Sequence, residues 1–315
     1  MQIIRDLAKL PENTSSVLTM GTFDGLHHGH RTIINSVVEI AKRESLKSVL
    51  LTYDPHPREI LRKGTDDRLY LLTTIDERLE IIDELGIDIC LVLPFTRELS
   101  MLSAKEYFDS IIAEKIGAKH ILVGEDHAFG KGREGNAEML KSLALKAGIE
   151  ATIVKKIEFG GQKISSSSIR RALQRGDVET ATEFLGRPYE VSGVVLKGAG
   201  VGKELGFPTA NIGLNSRSKL IPAQGVYAVT VQLQDGTYNG MMNIGKRPTI
   251  SSQNKIWLEV HIFKFAGNIY GEQISVTFEE RLRDERKFHS RSELIRQLEK
   301  DKEVALLRLQ QDINE

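Results

Sequence analysis

His27 and His30 flank Gly29 in the run Gly-Thr-Phe-Asp-Gly-Leu-His-His-Gly-His-Arg at residues 21–31. Imidazole donates hydrogen bonds, and near its ordinary pKa it also carries charge toward a phosphoryl oxygen. Gly29 lets a ligand approach the backbone between the rings. The apolar stretch 17–20 precedes the run, and Ile33, Ile34, Val37, Val38 and Ala41 follow it at helical spacing. A strand therefore passes through a glycine-bearing turn into a helix, with the histidines at the helix start. Unpaired N–H groups and a partial positive charge there suit a phosphate. Two alternatives stand beside this reading. Histidines three apart can ligate a metal, although neither His-Glu-x-x-His nor a cysteine cluster accompanies them. They can also be solvated turn residues.

A second cluster reads Ile-Ser-Ser-Ser-Ser-Ile-Arg-Arg at 164–171. Hydroxyls of Ser165, Ser166, Ser167 and Ser168 at a helix start cap it or donate to phosphate oxygens. Arg170 adds a charged fork suited to a leaving pyrophosphate. A third cluster is Lys-Gly-Ala-Gly-Val-Gly-Lys-Glu-Leu-Gly-Phe-Pro-Thr-Ala-Asn at 197–211. Its glycine spacing fails a Walker A loop, and no strand–helix pair frames it as a dinucleotide fingerprint. Gly198, Gly200 and Gly202 are nevertheless able to wrap a polyphosphate with backbone N–H groups, with Lys203 adding charge. Thr209 and Asn211 offer the neutral oxygens that magnesium accepts beside phosphates. Glu259, on the strand pattern 256–263, either faces solvent or serves as a general base toward a substrate hydroxyl.

The elements that position these groups fall into two regimes. Strand patterns at 48–53, 89–93, 121–124 and 151–157 alternate with helix patterns at 75–85, 103–116 and 137–147. Thr74 with Glu77 and Ser103 with Glu106 have capping-box spacing. This alternation predicts a doubly wound parallel sheet with helices on both faces, ligands binding beyond the strands' carboxyl ends. After a helix at 177–185 the period changes. Short β-branched runs at 191–196, 226–233, 238–244, 256–263 and 274–278, joined by glycine turns, predict a small antiparallel barrel. A final helix carries Leu294, Leu298, Ala305 and Leu309 on one stripe. The domain boundary is placed near Gly186, giving domains 1–185 and 186–315.

The 315 residues suffice for two domains, and the 43 basic residues balance the 43 acidic ones. Zero net charge argues against nucleic acid as a partner. No apolar run approaches a membrane span and no signal-peptide h-region is present, so a cytoplasmic protein is expected. The single cysteine, Cys90, has no intrachain partner and reads as a core thiol. A homo-oligomer is left open.

The first turn, Gly-x-Phe-Asp-Gly-x-His-x-Gly-His, resembles the nucleotidyltransferase signature, and the serine–arginine run resembles the superfamily's triphosphate motif. Taken with Thr-Tyr-Asp-Pro-His-Pro at 52–57, Val-Gly-Glu-Asp at 123–126, Gly-Phe-Pro-Thr-Ala-Asn at 206–211, Gly-Val-Tyr-Ala at 225–228, the segment 243–249 and Glu-Val-His-Ile-Phe at 259–263, nearly the whole chain resembles the bacterial bifunctional riboflavin kinase/FMN adenylyltransferase (FAD synthetase) family. The resemblance implies a nucleotidyltransferase-type α/β domain followed by a riboflavin kinase-type barrel. It implies ATP, riboflavin and FMN as substrates, with Mg2+ as cofactor. Glu259 would activate the ribityl 5′-hydroxyl, Thr209 and Asn211 would position magnesium and ATP, and His27 and His30 would steady the α-phosphate. Gly21, Phe23, Asp24 and Gly29 would belong to the adenylyltransferase ATP site, and His56, Asp126, Phe129 and Arg283 would contact flavin.

Four positions depart from the family pattern. Lys203 replaces an arginine, Lys264 and Asn268 replace aspartates, and His127 replaces an aromatic residue beside Asp126. Both activities are expected to survive these changes. Other readings are an adenylyltransferase for another phosphorylated acceptor, which leaves the barrel unexplained, and a flavin-binding regulatory protein without catalysis.

Overall fold

The computed structural model describes residues 1–11, 14–62, 69–155, 158–198, 200–246 and 256–311. The chain divides into two compact units, Met1–Ser166 and Ser167–Glu315.

The first unit is built on a six-stranded parallel sheet. Its strands are β1 (Gln2–Ile4), β2 (Ser16–Met20), β3 (Lys47–Tyr53), β4 (Ile89–Leu93), β5 (Ala118–Gly124) and β6 (Glu150–Val154), in the order β1-β4-β3-β2-β5-β6. The order reverses at β2, so the crevice beyond β2 and β5 is a topological switch point. Side chains alternate between two buried layers. Leu18, Met20, Leu51, Leu91 and Val123 fill one, and Val17, Leu50, Cys90, Val92 and Leu122 fill the other. Such apolar strands, buried on both faces, are what the β-branched runs require. β1 pairs with β4 through only three residues, too few for a period to register in the sequence.

Local chemistry sets the helix starts as the sequence predicts. Thr74 Oγ1 accepts from Glu77 N while Glu77 accepts from Thr74 N, and Ser103 and Glu106 repeat the exchange. The second of these helices begins as an α-turn at Ala104–Tyr107 and widens into a π-helix at Phe108–Ile116. The expected end of the last strand at Ile157 lies outside the described residues.

In the second unit, two helices, Ser166–Arg175 (its first residue in the first unit) and Val178–Leu185, precede a closed barrel. The shorter one is capped by Asp177 and ends in left-handed Gly186 (φ 73°). Its strands are β7 (Tyr189–Leu196), β8 (Ala210–Leu214), β9 (Gly225–Leu233), β10 (Gly236–Lys246), β11 (Ile256–Ile262) and β12 (Gln273–Arg283). All pairings are antiparallel, in the order β7-β8-β11-β10-β9-β12, and β12 closes onto β7. The helix Arg291–Gln311 buries Ala305 and Leu309 against Ala228, Met241 and Phe263. The barrel has one strand more than the sequence patterns announce. β8 is only five residues long, contains Gly213 and emerges directly from the glycine-rich run.

Candidate functional site

Beyond β2 the chain enters a strained turn. Phe23 (φ 48°), Gly25 (φ 85°) and Leu26 (φ 44°) are all left-handed. Two of the three bear side chains, so the surroundings must impose this conformation. Asp24 does so. Its buried carboxylate accepts from Leu72 N (2.9 Å), Thr73 N (3.0 Å) and Thr73 Oγ1 (3.3 Å), while Gly25 N donates to Thr73 Oγ1 (3.0 Å). Asp24, expected at the ATP site, thus turns its side chain to the protein's own backbone.

The turn delivers His27 as N-cap of the helix His28–Glu44. His27 Nδ1 accepts from His30 N (3.4 Å), so its Nε2 carries the proton in the neutral ring. The two imidazoles stack with centroids 3.7 Å apart and planes 15° from parallel, and Phe23 meets His30 edge-on at 5.2 Å. A Cβ on Gly29 would lie 3.3 Å from the His27 ring, so Gly29 makes room for that imidazole.

Burial lowers the His27 pKa to about 4, partly offset by Asp126 and Asp24. Burial, the neighbouring His27 and the Arg78 cation push His30 well below its ordinary value. The sequence reading allowed these rings a positive charge. In the folded chain both are neutral at pH 7: at His27 desolvation outweighs Asp126 and Asp24, and at His30 the neighbouring His27 and the Arg78 cation add to it.

Ser166 Oγ donates to the Asp24 carbonyl (2.9 Å), which ties the start of the serine run to the histidine turn. Ser165 is half-buried in the first unit. Ser167, Ser168 and Arg170 belong to the second unit, on a helix that buries Ile169, Ala172 and Leu173.

Other expected residues of the first unit gather at the ends of β3 and β5. His56 is buried and caps the short helix Pro57–Leu61, accepting from Arg58 N at 3.1 Å. Asp126 is exposed, and Phe129 is buried with its ring nearly parallel to His127 at 5.7 Å. Tyr107 lies 6.0 Å from Phe129, and its hydroxyl pairs with that of Tyr53 at 2.6 Å. Burial raises Tyr53 to about 12 and lowers His127 to about 4, so both are uncharged at neutral pH. This makes an aromatic, low-charge cluster beside the polar histidine turn.

In the barrel, the expected glycines have distinct structural reasons. A Cβ on Gly198 would come within 2.1 Å of Asn211 Nδ2, and one on Gly202 within 2.4 Å of the Phe207 carbonyl. Gly200 is left-handed (φ 77°). Lys203 is exposed on the turn Val201–Glu204. Asn211 is buried, and its Oδ1 has no hydrogen-bond partner among the described residues. Such an orphaned acceptor is costly unless a ligand completes it.

Register brings the remaining groups together. Asn211 on β8 and Asn243 on β10 both stand directly opposite Glu259 on β11, so the three share one face across adjacent strands. His261, two residues on, shares that face. Its Nδ1 donates to the Pro208 carbonyl (2.7 Å), fixing the backbone beside Thr209. Phe207 and Phe263 meet this ring edge-on at 5.3 and 5.6 Å.

Arg283 behaves differently from a ligand-seeking arginine. Its guanidinium forks onto buried Asp301, with Nε at 2.9 Å and Nη2 at 2.6 Å, and so ties β12 to the C-terminal helix. Lys264 is left-handed (φ 54°), and Asn268 Oδ1 accepts from Tyr270 N (3.2 Å). Arg247, Pro248 and Thr249 lie outside the described residues.

Sequence reasoning missed Arg78. It reads as one charge among several in Ile-Asp-Glu-Arg-Leu-Glu at 75–80, yet it is fully buried. No sequence signal marks it except its place one turn after a capping box.

Comparison with known proteins agrees with this two-part layout. The FAD synthetase family model matches residues 9–168 and the riboflavin kinase model residues 185–309. Proteins described as bifunctional riboflavin kinase/FMN adenylyltransferase are similar over nearly the full length. The Bacillus subtilis protein is 38% identical over 94% of this chain and 93% of its own. The Pseudomonas fluorescens protein is 35% identical over 92% of each, and the Escherichia coli K12 protein is 34% identical over 96% and 95%. A solved structure described as a macrolide-efflux protein from Streptococcus pneumoniae has a TM-score of 0.88 at 33% identity, covering 96% of this chain and 97% of that one. No helix among the described residues is long and apolar enough to cross a membrane. The chain belongs to the family of bifunctional riboflavin kinase/FMN adenylyltransferases.

Proposed function

We propose that the family's two reactions are divided between a domain at 1–185 and a domain at 186–315. The enzyme is a bifunctional transferase: riboflavin and ATP give FMN and ADP, and FMN with a second ATP gives FAD and pyrophosphate. In the barrel, Glu259 takes the proton of the ribityl 5′-hydroxyl as that oxygen attacks the γ-phosphorus and the bond to the ADP oxygen breaks. Gly198, Gly200, Gly202 and Lys203 hold the triphosphate. The orphaned Asn211 Oδ1 fits a hard cation, so Thr209 and Asn211 would hold magnesium, which neutralises phosphate charge when bound. His261 keeps the Pro208–Thr209 backbone in place for this task.

In the first domain an FMN phosphate oxygen attacks the α-phosphorus of ATP and the α–β bridge bond breaks. No protein nucleophile is required, so positioning and hydrogen bonding supply most of the rate. His27 Nε2–H and His30 donate as neutral imidazoles to the α-phosphate. Neutral donors carry no stacked like charge to repel one another, and the incoming triphosphate supplies the negative field. Gly21, Phe23, Asp24 and Gly29 shape that turn, while Ser165, Ser166, Ser167, Ser168 and Arg170 take the departing pyrophosphate. His56, Asp126, Phe129 and Arg283 are assigned to flavin. For Arg283 the Asp301 fork makes this an indirect role, through the end of β12. Small-molecule substrates rather than nucleic acid and a cytoplasmic location complete the reading.

The observation that carries it is Glu259 abreast of Asn211 in one unit while a stacked, capped histidine pair closes the switch-point turn of the other. The test is a time course with riboflavin, excess ATP and magnesium, resolved by liquid chromatography. FMN rising first and FAD following supports both assignments. Neither product, with supplied FMN also left unchanged, would favour a flavin-binding protein without catalysis.

A further inference from the structure

Arg78 is a buried cation that the reactions above do not use. It sits in the helix Ile75–Glu84 and is 1% exposed, and its Nε has no partner among the described residues. Burial lowers its pKa, against the fields of Asp24, Asp54, Cys90 and Glu59. A guanidinium remains charged in a protein interior, where it is strongly disfavoured unless its donors are engaged. An apolar side chain would hold this helix on the sheet without that cost.

Its engaged donor points at the histidine turn. Arg78 Nη1 donates to Thr52 Oγ1 (3.0 Å) and to the Tyr53 carbonyl (3.2 Å), at the carboxyl end of β3. The Thr52 hydroxyl, accepting from Arg78, donates in turn to the Thr22 carbonyl (3.3 Å). Thr22 immediately precedes left-handed Phe23, and Asp24 beyond it is pinned to Leu72 and Thr73. The strained turn is therefore held at two points: by Asp24 on one side, and by the Arg78–Thr52 relay on the other.

We propose that Arg78 is a positioning residue for adenylyl transfer, fixing the Thr22 carbonyl through Thr52 and so aiming His27 and His30. The inference rests on the assignment of adenylyl transfer to this turn. A turn that wavers still admits ATP and FMN but aligns its imidazoles less often. The loss therefore falls on kcat and leaves KM in place.

The test uses the full chain with Arg78→Gln, Arg78→Lys and Thr52→Val, assayed for FMN plus ATP to FAD, with riboflavin phosphorylation measured in the same preparations. Arg78→Gln is expected to lower the adenylyl-transfer kcat by about tenfold or more, with KM for ATP and FMN within about twofold. Arg78→Lys, which keeps a charged donor, recovers part of that loss. Thr52→Val, which breaks only the relay, lowers kcat by roughly threefold or more. The phosphorylation rate stays near wild type in all three.

A kcat unchanged in folded Arg78→Gln overturns the proposal. So does a raised KM at constant kcat, which would make Arg78 a direct substrate contact. If neither Arg78 variant folds, Thr52→Val decides alone: a lowered kcat supports the relay and an unchanged one removes it. Wild-type protein that makes no FAD from FMN would instead remove the underlying assignment. Wild type and Arg78→Gln forming FAD equally fast would remove only this inference.

Discussion

The imidazoles of His27 and His30 lie 3.7 Å apart and nearly parallel, joined by a hydrogen bond from the His30 amide to His27 Nδ1. One side chain thus caps the helix and presents its remaining ring nitrogen. Protonating it would break the cap, since Nδ1 would become a donor facing a donor. The same ring serves stability through Nδ1 and the assigned chemistry through Nε2.

A pH dependence follows. The His27 pKa falls from 6.5 to about 4 on folding, chiefly through burial, so between those values the unfolded chain binds more protons. The resulting stability is complete above pH 6.5 and is lost as pH falls toward 4, reaching about 3 kcal/mol from this residue. His27→Asn keeps an N-cap acceptor and removes the titration. Hydrogen-exchange protection of the Leu18 and Leu50 amides should decline more steeply with acid in the wild type than in the variant. Identical declines would contradict the assignment.

The Arg283–Asp301 pair gives a second expectation. Its charges are largely buried and share a fork, so removing one partner strands the other. Asp301→Ala should destabilise the barrel by about 3 kcal/mol, read from urea unfolding by the fluorescence of the single tryptophan, Trp257. A loss under about 1 kcal/mol would mean the fork is not what holds β12 to the C-terminal helix.

Lys264 is exposed yet left-handed, a conformation that crowds Cβ against the backbone. Asparagine tolerates it better, so Lys264→Asn should raise stability by about 0.5–1 kcal/mol in the same unfolding experiment. A decrease would show that the lysine side chain makes a compensating contact.

Much of this architecture was legible from the chain. β-branched runs buried on both faces announced the parallel sheet. Thr74, Ser103 and Asp177 marked helix starts because capping is a local interaction, settled within four residues. Contacts between distant segments were not legible in this way. Asp24 lies in a run that reads as a phosphate site, but its partners are Leu72 and Thr73, nearly fifty positions on. The neutrality of His27 and His30 depends on burial that no local pattern encodes. Arg78 occupies a charged helical stretch that reads as a solvent face until the sheet closes over it. In the barrel, Glu259 was visible as a carboxylate on a strand. Its alignment with Asn211 and Asn243 exists only in the register.

The division of labour between the proposed domains 1–185 and 186–315 is the central claim, and one paired assay tests it most directly. Glu259→Ala and His30→Ala are each given riboflavin, ATP and magnesium, then FMN and ATP, with products separated by chromatography. Glu259→Ala should form no FMN yet convert supplied FMN to FAD at close to the wild-type rate. His30→Ala should accumulate FMN while FAD formation falls by about a hundredfold. If both reactions fell together in a folded variant, or if FAD formation were undiminished in His30→Ala, the two-site account would be wrong.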